Sequence, residues 1–289
     1  MSLRFVKGHG TRNDFVLLPD AGGAQGEPPV ELVAALCDRR GGIGGDGVIR
    51  VVRTAAYDDP HAVSARGEAE WFMDYRNADG SLSEMCGNGV RVLGRYLVEH
   101  EGHDPAAPLP LGTRDGIKTL RFSERDGDPA AWITVDMGEP RVLGRSQISV
   151  ADGPAAGSAR TARHIDMGNP HAVAYVEDLA EAGALTVEPA YDREVYPDGV
   201  NIEFVRRIGE QHVSMRVHER GSGETLSCGT GACAVMVAAA LDDGHGAGGP
   251  AYTIDLPGGT LEIEWSSEGR VLMSGPAVLV AQGEWLAQP

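Results

Sequence analysis

Two short runs in this 289-residue chain share the pattern Cys-Gly-x-Gly, one in each half. The first begins at Cys86 and the second at Cys228, and each opens an apolar segment with helical periodicity. At a helix N-terminus, unpaired N–H groups and the positive end of the helix dipole favour the thiolate, which is the reactive form of cysteine. The glycines also leave neighbouring backbone N–H groups open to a ligand carboxylate. These N–H groups belong to Gly87, Asn88, Gly229 and Thr230. The repeat predicts two thiols that act as acid and base on opposite sides of one atom.

The other two cysteines, Cys37 and Cys233, lie inside apolar helical runs. A lone cysteine in such a run is more often a small buried hydrophobic residue than a catalyst, so we expect both to pack in the core. Zinc binding fits Cys86 and Cys228 poorly, because the chain has no Cys-x-x-Cys run and no matched Cys/His spacing. We therefore predict no metal site.

Polar side chains recur where predicted strands begin or end. They are Asn13, Asn77, Asn169, His171, Asn201, Glu219 and Arg220. Any one asparagine beside glycine or proline is typical of a turn. The whole set instead predicts a polar pocket that could hold an amino acid by its charged ends.

Short strand-like runs with alternating apolar residues dominate the chain, and helical periodicity appears only at Pro29 to Arg40, Asn88 to His100 and Thr230 to Leu241. The last helix is apolar on every face, which predicts that it is buried all round, enclosed by sheet. A polar Asp/Gly/Pro-rich break between Phe122 and Trp132 predicts the change of domain. Strands, a Cys-Gly-x-Gly run, a helix and further strands thus occur once in each half.

The composition excludes several classes of protein. A formal charge of −17 argues against nucleic acid or an anionic membrane surface as a partner. No run approaches the roughly 18 apolar residues of a membrane span, and the N-terminal residues lack an apolar signal segment. Four cysteines in a chain of this length are not a disulfide scaffold, so a reducing cytoplasm is the simplest expectation.

The motifs resemble, in order along nearly the whole chain, those of the diaminopimelate epimerase family, which are amino-acid racemases that work without pyridoxal phosphate. The matching runs are residues 10–14, 76–81, 85–91 and 168–171, then Asn201, and then residues 219–225 and 227–232.

This resemblance implies an α/β fold of the α+β type with two domains related by a pseudo-twofold axis. Each domain would be a curved mixed or antiparallel sheet around a central helix, with the active site in the cleft between domains. We place the first domain at residues 1–128 plus 276–289, since the family's C-terminal strand returns to it, and the second at residues 129–275.

The resemblance also implies roles for individual residues. Cys86 and Cys228 would be the acid/base pair that interconverts LL- and meso-2,6-diaminopimelate on the route to lysine and peptidoglycan, with no cofactor. His171 and Glu219 would bias the protonation of the two thiols, and the N–H groups after both cysteines would hold the reacting carboxylate. The implied substrate contacts are Asn13, Asn77, Asn169, Asn201 and Arg220. A homodimer is implied as well.

One departure concerns Gly47, where some members of the family have a glutamine side chain. Glycine offers only its backbone, so we predict no side-chain contact with the substrate there.

Other functions remain open on the sequence alone. Proline and hydroxyproline racemases resemble this architecture and use two cysteines, but they typically have histidine where this chain has Asn88. Isomerases of the phenazine-biosynthesis type lack the cysteine pair. A thiol–disulfide redox protein would use Cys86 and Cys228 as its couple, although such pairs are usually close in sequence. A non-catalytic amino-acid-binding protein would need neither thiol.

Overall fold

A computed structural model of the protein describes residues 2–286, and its chain divides into two units. One unit is Met1–Val135 with Gly275–Pro289, and the other is Asp136–Ser274. Residue 1 and residues 287–289, which belong to the first predicted domain, lie outside the described residues.

The first unit contains eight strands and three α-helices within its described residues. In chain order these are β1 (Ser2–Gly10), β2 (Asn13–Pro19), α1 (Val30–Cys37), β3 (Gly47–Arg53), α2 (Pro60–Ala65), β4 (Trp71–Asn77), α3 (Gly87–His100), β5 (Leu109–Thr113), β6 (Gly116–Arg125) and β7 (Asp128–Asp136), and the last strand of the chain, Val278–Leu286, also belongs here. The strand order across the sheet is Val278–Leu286, then β1, β2, β3, β4, β5, β6 and β7.

The second unit has ten strands and one α-helix. These are β8 (Arg141–Ser149), β9 (Ala159–Asp166), β10 (Pro170–Tyr175), β11 (Ala190–Tyr191), β12 (Asn201–Gly209), β13 (His212–Glu219), β14 (Gly223–Thr225), α4 (Gly229–Asp242), β15 (Tyr252–Leu256), β16 (Gly259–Trp265) and β17 (Val271–Pro276), and the strand Val278–Leu286 that follows them is β18. Its main sheet runs β8, β9, β10, β12, β13, β15, β16 and β17, with β11 beside β8 and β14 beside β13.

The two units have the same eight-strand topology. In both main sheets, from the first strand to the eighth, successive neighbours pair antiparallel, antiparallel, parallel, antiparallel, parallel, antiparallel and antiparallel. The long helix follows the fifth strand in each, α3 after β4 and α4 after β13. The repeat predicted from the two cysteine motifs is therefore confirmed, and it gives each strand of one main sheet, and each long helix, a counterpart in the other unit.

The two long helices begin one residue before their predicted starts and are buried as a sheet-enclosed helix should be. Every residue of α4 from Gly231 to Ala240 is buried, as its uniformly apolar sequence requires. In α3, Arg91 has no exposed surface. A buried guanidinium needs hydrogen-bond partners, and those partners lie at the N-terminus of α3.

The polar break expected between the domains is instead the turn of the β6–β7 hairpin. Asp126 and Gly127 have φ values of 53° and 82°, and β6 and β7 pair antiparallel on either side of them. The compact units change at Val135 and Asp136, at the end of β7, rather than at residue 128. A hairpin turn and a domain boundary have the same polar, glycine-containing composition, so the sequence alone does not separate them.

Candidate active site

Cys86 lies immediately before the first turn of α3, in an extended conformation with φ −139° and ψ 118°. Its carbonyl accepts the N–H of Val90 at 2.8 Å, which starts the helix. Within residues 2–286 no side chain caps this helix N-terminus. The first N–H groups of α3, those of Gly87 and Asn88, therefore lie beside the sulfur in the arrangement that the sequence predicts for binding an anion.

Asn13 is brought to Cys86 by the tight turn between β1 and β2. Both turn residues, Thr11 and Arg12, have positive φ (47° and 64°), and Asn13 is the first residue of β2. Positive φ at both central positions is typical of the type I′ hairpin turn, although threonine is strained there. The Asn13 Oδ1 lies 3.6 Å from the Cys86 Sγ and accepts from it, a hydrogen bond available only to the protonated thiol.

The Asn13 amide has a fixed orientation because its two ends have different partners. Its Nδ2 donates to Asp46 Oδ2 at 2.7 Å, and its Oδ1 accepts from Asn88 Nδ2 at 3.2 Å. The buried Arg91 in turn donates to Asn88 Oδ1 at 2.7 Å and to the Gly87 carbonyl at 3.3 Å. Asn13, Cys86, Gly87 and Asn88 therefore form one hydrogen-bonded group, which we call the Cys86 cluster.

Asn77 ends β4, where it pairs with Gly47 at the start of β3. Its side chain donates to Ser81 Oγ at 3.0 Å and its N–H to the Ser81 carbonyl at 2.9 Å. This is turn chemistry, so a contact between Asn77 and a substrate stays a prediction. At Gly47 a Cβ would lie 2.5 Å from the Arg76 carbonyl oxygen, which explains in physical terms why this backbone has glycine there.

Cys228 has the same place in the second unit, before the first turn of α4, with φ −115° and ψ 111°. Its Sγ lies 3.6 Å from the Thr230 hydroxyl, and the Ala232 N–H donates to the Cys228 carbonyl at 3.0 Å. As at Cys86, no side chain of the described residues caps the N-terminus of this helix. The first N–H groups of α4, those of Gly229 and Thr230, come directly after Cys228.

The electrostatic environment of Cys228 differs from the expectation for a helix N-terminus. Burial raises the pKa of the Cys228 thiol well above its usual value, and the nearby carboxylates of Glu219 and Glu203 raise it further. The Thr230 hydroxyl and the Gly231 N–H oppose this shift but do not reverse it. The expectation that the helix N-terminus favours thiolate is therefore wrong for Cys228 in this structure, because desolvation and two negative charges outweigh the helix.

His171, on β10, lies between two oxygen acceptors. Its Nδ1 is 2.6 Å from Glu203 Oε1, and its Nε2 is 3.0 Å from Asn169 Oδ1. Neither His171 nor Glu203 has any exposed side-chain surface. Asn169 and His171 are among the residues predicted from the sequence, whereas Glu203 is not. The available signal was a single carboxylate within the apolar run Ile202-Glu203-Phe204-Val205, since a lone charge in a buried strand needs a partner.

Asn201 and Arg220 are also neighbours, at the starts and ends of adjacent strands. Asn201 Nδ2 donates to the Pro170 carbonyl at 3.3 Å, and its Oδ1 accepts the Arg220 N–H at 3.0 Å. The Arg220 guanidinium donates to the Asp198 carbonyl at 2.8 Å. These contacts fix where the Arg220 charge lies, at the same strand ends as Asn169 and His171.

Glu219 ends β13 and accepts a hydrogen bond from the Thr225 hydroxyl. We call the predicted residues of this unit, together with Glu203, the Cys228 cluster. Its members are Asn169, His171, Asn201, Glu203, Glu219, Arg220, Cys228, Gly229 and Thr230.

Cys37 and Cys233 are buried, as the sequence predicts. Cys37 packs with Val33 and Leu36, and burial raises its pKa to about 11. Across residues 2–286 no group of three or more His, Cys, Asp or Glu side chains could hold a metal ion. In the same part of the chain, none of the helices is both long and apolar enough to cross a membrane.

Comparison with known proteins adds independent information. The family model described as diaminopimelate epimerase matches residues 5–143 and 163–280. A diaminopimelate epimerase of Streptomyces coelicolor is 53% identical, over 98% of this chain and 95% of its own length. One of Thermobifida fusca is 47% identical, over 98% and 97%. Among solved structures, a probable proline racemase from Agrobacterium radiobacter has a TM-score of 0.68 at 14% identity, covering 99% of this chain and 94% of its own. At that identity the likeness concerns the fold alone.

Proposed function

This chain belongs to the diaminopimelate epimerase family, and we propose that Cys86 and Cys228 are the acid/base pair with which it epimerises LL-2,6-diaminopimelate to the meso form. The enzyme is an isomerase of lysine and peptidoglycan precursor biosynthesis, and its substrate is a small amino acid. The observation that carries the assignment of the pair is the repeat of one construction, a cysteine before a buried helix, at equivalent places in two units of the same topology.

The proposed chemistry moves one proton at each face of the α-carbon. A thiolate removes the α-proton and becomes a thiol, while the other cysteine delivers its thiol proton to the opposite face and becomes a thiolate. Cys228 starts the proposed reaction as the thiol, since burial and the Glu219 and Glu203 carboxylates raise its pKa. Cys86 must give up the proton that it donates to Asn13 before it can act as the base. Each turnover then exchanges the protonation states of the two cysteines, and the pair titrates as a coupled system.

The α-proton of an amino acid is a weak acid, so the negative charge that develops on its loss must be stabilised. We propose that the N–H groups of Gly87, Asn88, Gly229 and Thr230 donate to the reacting carboxylate. Removing one donor of this kind typically costs about 3 kcal/mol of transition-state stabilisation. Excluding water from the bound substrate strengthens these hydrogen bonds further.

The remaining polar residues of the two clusters are proposed to bind the rest of the substrate. Arg220 supplies a fixed positive charge, and the amide groups of Asn13, Asn169 and Asn201 supply both donors and acceptors. Asn77 completes the set predicted from the family motifs. His171 and Glu219 would bias the protonation of the thiols, and the effect of Glu219 on the Cys228 pKa supports that role.

The test of this function compares two substrates. We expect purified protein to convert LL-diaminopimelate to the meso form without added cofactor and to leave L-proline unchanged. Chiral chromatography of the reaction mixtures measures both conversions. Arg220→Lys keeps a positive charge but loses the planar guanidinium, so we expect weaker substrate binding. Faster turnover of proline than of diaminopimelate would contradict the proposal and favour the racemase alternative.

We further propose that the enzyme works as a homodimer in the cytoplasm, which rests on the family resemblance and on the cysteine content of the sequence. Sedimentation equilibrium of the full chain tests the dimer. A mass of one chain, 30.5 kDa, at working enzyme concentrations would contradict it.

A further inference from the structure

Glu203 is a buried carboxylate to which the proposed chemistry gives no role beyond raising the pKa of Cys228. It lies on β12, its side chain has no exposed surface, and within the described residues its Oε2 makes no hydrogen bond. Burial raises the pKa of Glu203, against the opposing charge and hydrogen bond of His171. Leaving a buried carboxylate oxygen without a partner is costly, so such a group in a folded protein calls for an explanation.

The first unit provides an internal comparison for this residue. Because β2 and β3 correspond to β10 and β12, the aligned pair Phe15 and Gly47 corresponds to the pair His171 and Asn201. Two residues further along the strands, Ile49 corresponds to Glu203. The same fold therefore places an apolar pair, Phe15 and Ile49, where the second unit has His171 and Glu203.

The helix contacts agree with this correspondence. Gly89 and Gly231 each lie three residues after their cysteine. A Cβ on Gly89 would lie 3.1 Å from Ile49 and 3.4 Å from Phe15, whereas one on Gly231 would lie 2.8 Å from Glu203 Oε1 and 3.2 Å from the Cys228 sulfur. Packing at this place is satisfied by isoleucine, so a carboxylate here is not a requirement of the fold.

The hydrogen bonds of His171 show what the carboxylate does. Asn169 Oδ1, an acceptor, faces Nε2, so Nε2 bears a hydrogen. Glu203 Oε1 faces Nδ1 at 2.6 Å, so one further proton lies between that oxygen and that nitrogen. Whichever of the two atoms holds this proton, Glu203 keeps the ring in one orientation with its Nε2–H directed at the strand ends where Asn169 lies.

We propose that Glu203 is a positioning residue that orients His171 through Nδ1, keeps the proton on Nε2, and makes the Cys228 cluster chemically unlike the Cys86 cluster. The inference rests on the proposed function, in which His171 acts on the thiol chemistry of this cluster. It adds a residue that has no contact with substrate and that, besides raising the pKa of Cys228, acts through His171.

The first experiment observes His171 directly and needs no activity. Protein labelled with 15N-histidine is compared by NMR as wild type and as Glu203→Ile, which introduces the residue found at the equivalent position 49. His171→Phe identifies the signals of His171 by their loss. In the wild type we expect His171 Nε2 to give the signal of a protonated nitrogen, and in Glu203→Ile we expect that signal to shift as the ring loses its fixed tautomer. An Nε2 without a proton in the wild type, or unchanged His171 signals in the variant, would overturn the proposal.

The second experiment separates positioning from folding. Glu203→Ile should lower kcat by about 10- to 100-fold with little change in KM, as is usual for a residue that orients a functional histidine. Glu203→Gln keeps an oxygen acceptor and should recover part of that loss. In the double variant His171→Phe/Glu203→Ile, which copies the pair of the first unit, kcat should be no lower than in His171→Phe alone, because the two residues act as one.

The control is Glu264→Gln, which removes one exposed carboxylate from β16 of the same unit and should keep wild-type kinetics. A rise in KM at constant kcat in Glu203→Ile would make Glu203 a substrate contact and overturn the proposal. A loss of kcat in Glu203→Ile that is fully accounted for by the fraction of unfolded protein would also overturn the proposal. If the wild type fails to epimerise diaminopimelate, the proposed function fails and the NMR comparison alone still decides the orientation of His171.

Discussion

At the scale of single residues, the two cysteines occupy the same position in the chain's repeat but have different neighbours. Cys86 donates to an amide oxygen of Asn13, and the residues behind it are apolar. Cys228 lies near two carboxylates, and burial with those charges raises its pKa. An acid and a base that must differ in protonation state at the start of a reaction need such a difference in environment.

The influence of Glu219 on Cys228 gives a first prediction. In Glu219→Gln one negative charge near the sulfur is removed, so the thiolate is less disfavoured and the pKa of Cys228 falls. Labelling of Cys228 by iodoacetamide, followed by peptide mass spectrometry, should then extend to lower pH than in the wild type. The Glu203 carboxylate still faces Cys228 from β12, and His171 lies beside it, so the pKa stays above that of a free thiol. With Glu264→Gln as the control, an unchanged pH dependence of labelling in Glu219→Gln would contradict this reading.

The second prediction concerns Asn88 and its part in substrate specificity. Its two ends are engaged by Asn13 and by the buried Arg91, so histidine at this place leaves the guanidinium without its 2.7 Å acceptor. We expect Asn88→His to lower diaminopimelate turnover without creating proline turnover, because recognition of the distal end depends on several residues. Assays with both substrates check this, and substantial proline racemisation would show that Asn88 alone sets specificity.

At the scale of the elements, the glycines of the two motifs let helix and sheet approach closely. A Cβ at Gly231 would press on Glu203 and on the Cys228 sulfur, whereas one at Gly89 would meet chiefly the flexible end of Met73, at 2.7 Å. The helix that follows each cysteine therefore packs so close to the sheet that its third residue after the cysteine has no room for a Cβ.

These contacts predict different consequences for matched substitutions. Gly231→Ala should lower kcat at least about tenfold, since small displacements of reacting groups are costly, while Gly89→Ala should be milder because a methionine methyl moves easily. Both should cost about 1–3 kcal/mol of unfolding free energy through overpacking. Steady-state kinetics with urea unfolding measures both quantities. Equal loss of kcat in the two variants would contradict the assignment of Glu203 and Cys228 as the sensitive neighbours.

Gly47 tests the packing of β3 against β4. A Cβ there would lie 2.5 Å from the Arg76 carbonyl oxygen and 2.6 Å from the Tyr75 ring, and the backbone oxygen has little freedom to move. Gly47→Ala should therefore destabilise the protein by about 1–3 kcal/mol. Gly22→Ala, where nothing lies within 4 Å of the added atom, is the matched control. Urea unfolding curves that coincide for the two variants would show that the strands adjust without cost.

Particular elements show how far the sequence predicts this structure. Periodicity predicts α3, and the run rich in alanine and valine predicts α4. The Cys-Gly-x-Gly runs predict where the two helices begin. Strand β8 is not predicted, because its first five residues are all exposed and its two apolar residues there, Val142 and Leu143, are consecutive, so no alternation of apolar residues marks it.

The sequence does not predict the burial of two charged side chains of the candidate site. Neither Arg91 nor Glu203 has any exposed surface, although charged residues are rarely fully buried. Periodicity places a residue on a face of its element, but it does not say whether that face is covered by another element. The partners that make such burial possible are Asn88, three residues before Arg91 on α3, and His171, which lies on β10 beside the strand of Glu203.

At the scale of the whole molecule, one topology has been used twice with different side chains at corresponding places. Phe15 and Ile49 in the first unit correspond to His171 and Glu203 in the second, and both pairs are buried. The shared backbone supplies a helix N-terminus behind each sulfur, and the differing side chains give each sulfur its own electrostatic environment. The proposed reaction needs both properties. The N–H groups of the two helices bind the same carboxylate, while the two thiols must differ in protonation.

The central claim is that both cysteines serve one α-carbon, and hydrogen exchange tests it most directly. LL-diaminopimelate is incubated in deuterated water with wild type, Cys86→Ala, Cys228→Ala and, as the control, Cys37→Ala, and incorporation of deuterium and formation of the meso isomer are followed together. We predict that each of the first two variants loses epimerisation by about 10²- to 10⁴-fold or more, as expected for a proton-transferring group, while Cys37→Ala retains it. Formation of the meso isomer at the wild-type rate in either Cys86→Ala or Cys228→Ala would contradict the account.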